Sequence, residues 1–212
     1  AGYKTALIGK AHFEPFLDPF LRFVENQLAN SGAHSLMEDG HLHRGFDHME
    51  SASHGGMGSF HYAQWLMKNF PEAVPMYYRV LDMSLQVSAE GGGDTGAPQA
   101  HVNNISRELY HTDWVADRTI AWLDSLDADA DWFCWVSFPD PHHPWDPPAS
   151  ETHRVNWRDL DLPAGYTQNR AEREAILDNK PAQWRKWYDG EFVSNYEAPL
   201  KWVPNTLTDG QV

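Results

Sequence analysis

The sequence predicts an α/β fold, because an amphipathic helix is followed directly by a short apolar strand. The helix is predicted over residues 112–126, with apolar side chains at helical spacing on one face. A turn at 127–131 separates it from the predicted strand at 132–138, whose continuous apolar run is typical of a strand buried on both faces of a parallel sheet. Another strand is predicted over residues 3–8, where β-prone residues end at Gly9. Alternating helices and strands indicate the layers of an α/β domain.

Further elements follow from periodicity and from the positions of proline and glycine. Residues 17–29 and 60–70 are predicted helices, and two short helices are predicted at 170–179 and 181–190. Residues 31–58, rich in Gly, Ser and His, are predicted to be irregular.

Within the helix at 112–126, the sequence predicts both a cap and a buried face. Thr112 is the predicted N-cap, and Asp113 suits the first turn. The predicted buried stripe consists of Val115, Thr119, Trp122, Leu123 and Leu126.

Composition limits the partners of this chain. The formal net charge of −14 over 212 residues argues against a protein that tracks a nucleic-acid backbone, which needs a basic face. No run approaches the length of a membrane span, so neither nucleic acid nor membrane is an expected partner. The one cysteine, Cys134, excludes a disulfide within the chain, and its apolar neighbours favour a buried, inert thiol. The compartment, bacterial cytoplasm or periplasm, stays open.

Two segments place cationic donors directly after predicted strands. Lys10, with three donors, and His12, with up to two, follow the strand at 3–8. His142 and His143 lie on a proline-rich turn after the strand at 132–138, and both are candidates to bind substrate. Since binding groups of α/β sheets gather at the carboxyl ends of strands, these side chains are expected to bind a tetrahedral oxyanion.

Four segments occur in an order that a known protein family shares. They are Gly2-Tyr3-x-Thr5-Ala6-x-x-Gly9-Lys10-x-His12, Gly45-Phe46-Asp47, Thr112-x-x-Val115-x-Asp117-Arg118, and Ser137-Phe138 followed by Pro141-His142-His143-Pro144. Together they resemble the sulfatase family of the alkaline phosphatase superfamily, including arylsulfatases and phosphonate monoester hydrolases. The resemblance covers residues 1–148 well and 149–212 loosely, so it implies a partial sulfatase domain over residues 1–212.

The resemblance implies an alkaline-phosphatase-like α/β/α sandwich, of which this chain is an incomplete central portion. It also implies that the whole protein hydrolyses a sulfate ester. Lys10 would bind a sulfate oxygen, His12 would assist the nucleophile or the gem-diol, and His142 would contact the sulfate or protonate the leaving group. In relatives that cleave phosphonates and phosphodiesters, the residues matching Tyr3 and Thr5 approach the substrate.

The resemblance places the nucleophile and the metal ligands elsewhere. In the family, two metal-binding aspartates and a C-x-P-S-R or S-x-P-S-R motif, whose first residue becomes formylglycine, precede the first motif. They are therefore expected upstream of Ala1. A divalent metal, Ca or Mn, is expected in the full-length protein and none in this chain alone. The isolated chain is consequently expected to be inactive.

Several alternatives stay open at this point. The chain would also suit a phosphonate or phosphodiester hydrolase of the same superfamily, or a non-catalytic anion- or glycan-binding domain. A metal-storage module is a further alternative, suggested by His34, His41, His43, His48, His54 and His61. The expected partner is a small-molecule sulfate or phosphate ester, and exposed sheet edges would favour a homo-oligomer.

Overall fold

The computed structural model describes residues 2–13, 43–53, 60–76, 102–142, 145–167, 169–189 and 191. The chain divides into two compact units. The first comprises Ala1–Tyr78 and Asn103–His142, and the second comprises Arg79–Val102 and His143–Val212. The helix predicted over residues 17–29 lies outside the described residues.

The first unit contains a parallel three-stranded sheet. β1 (Lys4–Gly9) lies between β2 (His48–Ser51) and β3 (Trp132–Ser137). The last residue of β1 pairs with the last residue of each neighbour, so the three strands end at the same edge. The strand predicted over residues 3–8 is confirmed, and a mixed α/β architecture is present.

Two helices of the first unit pack against one face of this sheet. α1 (His61–Asn69) and α2 (His111–Asp124) confirm the helices predicted at 60–70 and 112–126. Ala6 and Ile8, which alternate along β1 and therefore share a face, belong to the main core. The helices contribute these buried residues to the same core: Tyr62, Leu66, Trp114, Val115 and Trp122. Short 3-10 helices lie at His43–Gly45, Pro71–Met76 and Arg107–Leu109.

The predicted buried stripe of α2 is confirmed in part. Val115 and Trp122 are buried, and Trp114, which the prediction omits, is buried beside them. The remaining predicted positions are partly buried: Thr119, Leu123 and Leu126. Asp113 lies in the first turn as predicted, where it accepts a 3.0 Å hydrogen bond from Arg107.

The predicted N-cap of α2 is wrong. The helix begins one residue earlier, at His111, and Tyr110 takes the N-cap position without a side-chain hydrogen bond to the helix. Thr112 instead donates its hydroxyl hydrogen to the Asp140 carboxylate, 2.9 Å away. A tertiary partner after β3 has therefore replaced the local backbone partner that a capping threonine would have.

The prediction that β3 is buried on both faces is also wrong. Four of its side chains are between 38% and 52% exposed: Trp132, Phe133, Trp135 and Val136. β3 forms an edge of the described sheet, so no described strand covers its outer side. Aromatic contacts cover part of three rings: Trp132 on Trp122, Phe133 on Phe46 and Trp135 on Phe13. Cys134 packs against the main core, where burial raises the pKa of its thiol.

β2 lies within residues 31–58, which the sequence predicts to be irregular. Its sequence, His-Met-Glu-Ser, has one apolar side chain, Met49, and hence no visible alternation. The strand forms because β1 supplies hydrogen-bond partners along its length. The pairing extends beyond both ends, with Asp47 donating to the Thr5 carbonyl and Ala52 to the Gly9 carbonyl, each at 3.0 Å.

The Gly45-Phe46-Asp47 segment is tied to the start of β1 through Thr5. The Thr5 hydroxyl lies 2.9 Å from both the Asp47 carboxylate and the Gly45 carbonyl, and the Asp47 amide donates to it. The same carboxylate accepts the Thr5 amide hydrogen at 3.0 Å. These bonds hold the turn that leads into β2.

Replacing Thr5 by valine is expected to lower the free energy of unfolding by about 1–2 kcal/mol, because the Asp47 carboxylate loses a donor. Urea denaturation of Thr5→Val beside the wild type measures this. Thr5→Ser, which keeps the hydroxyl, is the matched control and should lose less. Equal stability of the valine variant and the wild type would contradict a structural role for the hydroxyl.

The second unit contains the two short helices predicted around Pro181. α3 (Arg170–Asp178) is capped by Asn169, whose side chain accepts from two backbone amides, and α4 (Ala182–Tyr188) follows the proline. Arg185 of α4 donates to carboxylates of α3, those of Glu174 and Asp178. Short 3-10 helices lie at Ala149–Arg154 and Trp157–Asp159. No helix among the described residues is long and apolar enough to cross a bilayer.

Candidate anion-binding site

A close backbone contact holds the carboxyl ends of β1 and β3 side by side. The Lys10 amide donates a 2.7 Å hydrogen bond to the Ser137 carbonyl. Gly9 makes this approach possible, because its φ is +106° and a Cβ built on it would lie 1.8 Å from the Ser137 oxygen. The contact places Lys10 beside the end of β3.

The Lys10 side chain is partly buried at this edge. Burial lowers the pKa of its ammonium group below the ordinary value, because the charged form loses hydration. An anion bound beside a partly dehydrated ammonium group interacts with it more strongly than it would in bulk water, since the local dielectric is lower. Lys10 therefore suits the binding of an anionic group.

His111, the first residue of α2, lies under this edge and is fully buried. Its pKa falls from 6.5 to about 3, first because burial penalises the imidazolium form and second because the Lys10 charge repels a second cation. The Tyr110 ring lies 3.9 Å from its ring centroid, and Tyr62 meets it edge-on at 6.0 Å. His111 is therefore neutral at pH 7.

Asp140 lies on the segment after β3 and points to the beginning of α2. Its carboxylate accepts a hydrogen bond from Thr112, at 2.9 Å, and one oxygen lies 3.9 Å from Nε2 of His111. Burial raises the pKa of Asp140 above its ordinary value, while hydrogen bonding by Thr112 and Tyr110 lowers it. The sequence singles out neither Asp140 nor His111, although Asp140 shares the proline-rich turn with His142.

His12 and His142 extend from the two strand ends. His12 follows β1 by three residues and is exposed. His142 is exposed on the turn after β3, and its amide donates 3.2 Å to the carbonyl of Pro139, which is buried. His143 lies outside the described residues. The roles predicted for these side chains remain predictions.

Tyr3 and Thr5 lie at the other end of β1. A strand rises about 3.3 Å per residue, so Thr5 and Lys10 are separated by roughly 16 Å along β1. The Thr5 hydroxyl contacts Asp47 and Gly45 as described above, and Tyr3 is 53% exposed. Thr5 thus contacts the turn before β2, and both residues lie at the end of β1 opposite Lys10.

The end of β2 carries a buried serine–histidine pair. The Ser51 amide donates 3.1 Å to Nδ1 of His61, and the Ser51 hydroxyl lies 2.8 Å from the same nitrogen. Because Nδ1 accepts the amide hydrogen, the ring proton resides on Nε2. Both residues are buried, so the pair stabilises the end of β2 away from solvent.

Within the described residues, no group of three or more His, Cys, Asp or Glu side chains could hold a metal ion. His48 pairs with Glu50 at 2.9 Å, and His61 contacts Ser51. The side chains of the other histidines considered for a metal cluster lie outside the description: His34, His41, His43 and His54. The described side chains therefore do not fit the divalent metal that the family resemblance implies.

The fold and the site define an α/β protein whose parallel strands end beside a cluster of ionisable side chains. This chain is 29% identical over 175 residues to an arylsulfatase of Clostridium perfringens (strain 13 / Type A), and the match covers 82% of this chain and 31% of that enzyme. The chain thus spans about a third of the length of the curated relative that it matches. No family model matches it, and no solved structure shows a significant match. The similarity supports a sulfatase-like relationship over part of that enzyme.

Proposed function

We propose that this chain is part of a sulfuric ester hydrolase and supplies its sulfate-binding residues. The observation that carries the proposal is the hydrogen bond from the Lys10 amide to the Ser137 carbonyl, at 2.7 Å. Because of it, Lys10 and the turn that carries His142 start from adjacent points of one sheet edge. The similarity to an arylsulfatase supports sulfate as the anion.

In this proposal, each side chain at the edge has a separate role. The Lys10 ammonium group binds a sulfate oxygen and neutralises part of its charge. His12 assists the nucleophile, and His142 contacts the sulfate or donates a proton to the leaving oxygen. Tyr3 and Thr5 are left out of this set, since the strand separates them from Lys10.

The nucleophile and metal of the proposed reaction lie outside this chain. A divalent ion, Ca or Mn, would activate the formylglycine-type nucleophile in the full-length protein. The 212-residue chain alone is accordingly proposed to be inactive, because it keeps only part of the oxyanion stabilisation. Metal-independent turnover of p-nitrophenyl sulfate by the purified chain would contradict this.

Replacing Lys10 by methionine is expected to weaken the binding of inorganic sulfate about tenfold or more, because a charge-assisted hydrogen bond is lost while the side-chain length is kept. Isothermal titration of sodium sulfate into the 212-residue chain measures the dissociation constant. Lys4→Met is the matched control, because Lys4 is the first residue of β1 and lies at the opposite end of the strand from Lys10. It should bind sulfate as the wild type does.

Equal sulfate affinity of Lys10→Met and the wild type would overturn the proposed role of this edge. Methylphosphonate is titrated in parallel, and tighter binding of methylphosphonate than of sulfate would favour a phosphonate hydrolase. The full-length protein is then assayed with p-nitrophenyl sulfate. Sulfate binding without turnover in that protein would indicate a non-catalytic anion-binding domain.

A further inference from the structure

The turn that carries His142 is attached to the beginning of α2 through one carboxylate. Asp140 precedes His142 by two residues, and it accepts a hydrogen bond from Thr112, at 2.9 Å. The donor is the second residue of a 14-residue helix. A carboxylate at this position also interacts favourably with the positive end of the helix dipole.

The residue before Asp140 is anchored in the interior. Pro139 is buried, and its carbonyl accepts the His142 amide hydrogen at 3.2 Å. Burial of Pro139 and the bond from α2 to Asp140 thus hold the first two residues of the turn. They fix the starting point of the short segment that leads to His142.

His111 lies beside this attachment. Its Nε2 is 3.9 Å from the Asp140 carboxylate, beyond hydrogen-bond distance, and the ring is fully buried. The ring is neutral at pH 7, so it packs beside the carboxylate without adding charge.

We propose that Thr112 and Asp140 form a clamp that positions His142 for anion binding. Both are positioning residues, and the clamp acts through the turn; this inference rests on the proposed sulfate-binding function. Its physical basis is that a binding group contributes most when its own position is fixed before the ligand arrives.

The test is Thr112→Val, which removes the hydroxyl donor from the Asp140 carboxylate and keeps a branched side chain. We expect sulfate binding, measured by titration calorimetry, to weaken about fivefold or more, and Thr112→Ser to restore it to within about twofold. Thr119→Val is the matched control, because the Thr119 hydroxyl bonds only within α2, to the Val115 carbonyl at 2.8 Å. That variant should bind sulfate like the wild type.

A second readout does not depend on sulfate. Amide hydrogen exchange by NMR should show the His142 amide at least about tenfold faster in Thr112→Val, while the Lys10 amide, bonded to Ser137, stays unchanged. Unchanged exchange at His142 would overturn the clamp whether or not the chain binds sulfate. Faster exchange together with a wild-type chain that does not bind sulfate would support the clamp and overturn the proposed function.

Discussion

Gly9→Ala is expected to lower the free energy of unfolding by about 3–5 kcal/mol, a large part of the roughly 5–15 kcal/mol that is ordinary for a folded domain. Two physical causes add. The φ of +106° strains any residue with a Cβ, and that Cβ would lie 1.8 Å from the Ser137 oxygen, where backbone atoms must move. The movement would break the hydrogen bond from the Lys10 amide to Ser137. Urea denaturation followed by circular dichroism measures the loss.

Gly2→Ala separates these two causes. Gly2 also has a positive φ, +80°, but a Cβ there meets nothing within 4 Å. This control should therefore lose only the cost of the backbone conformation, about 1–2 kcal/mol. If both variants lost the same small amount, the close approach of β1 to β3 would be refuted as a structural constraint.

The stability of the chain is expected to fall by about 2 kcal/mol between pH 7 and pH 5, because of His111. The folded protein holds its pKa at about 3, whereas the unfolded chain has the ordinary value of 6.5. Below pH 6.5, His111 therefore binds a proton in the unfolded state but not in the folded state. This difference lowers the free energy of unfolding as the pH falls. The loss begins near pH 6.5 and continues until the pH approaches 3.

Asp140 opposes this trend, since burial raises its pKa and the folded state takes up its proton before the unfolded state does. His111→Asn isolates the histidine term, because it keeps a polar side chain that does not titrate in this range. We expect a shallower fall of stability from pH 7 to pH 5 in this variant, measured by urea denaturation at each pH. His12→Asn, at an exposed position, is the control and should keep the wild-type slope. If the burial of His111 had no effect on stability, His111→Asn would keep that slope as well.

Local patterns account for the elements that were predicted correctly. β1 ends at a glycine after a run of β-prone residues, and the helices at 61–69, 111–124, 170–178 and 182–188 follow helical spacing or proline boundaries. β2 was not predicted, because a four-residue strand with one apolar residue shows no alternation of apolar and polar side chains. It exists because β1 offers it a backbone ladder.

The residues of the candidate site also include some that the sequence predicts and others that it does not. Lys10, His12 and His142 are predictable because each follows a strand, and strand ends of a parallel sheet gather at one edge. His111 and Asp140 were not predictable, because their significance comes from burial and from each other. From sequence alone, a threonine at the start of a helix is predicted to be its N-cap. Only the structure shows that Thr112 instead donates a hydrogen bond to a carboxylate on the turn after β3.

The amino-acid sequence by itself determined the α/β class, the strand that precedes Lys10 and the resemblance to sulfatases, since these depend on residue order and local preference. Tertiary structure decided which side chains are covered and which charges meet. It left the aromatic run of β3 at an exposed edge, bonded Thr5 to Asp47, and buried a neutral histidine beside Asp140. The physical reason is that burial and electrostatic coupling depend on distances between segments far apart in the chain, and residue order does not contain those distances.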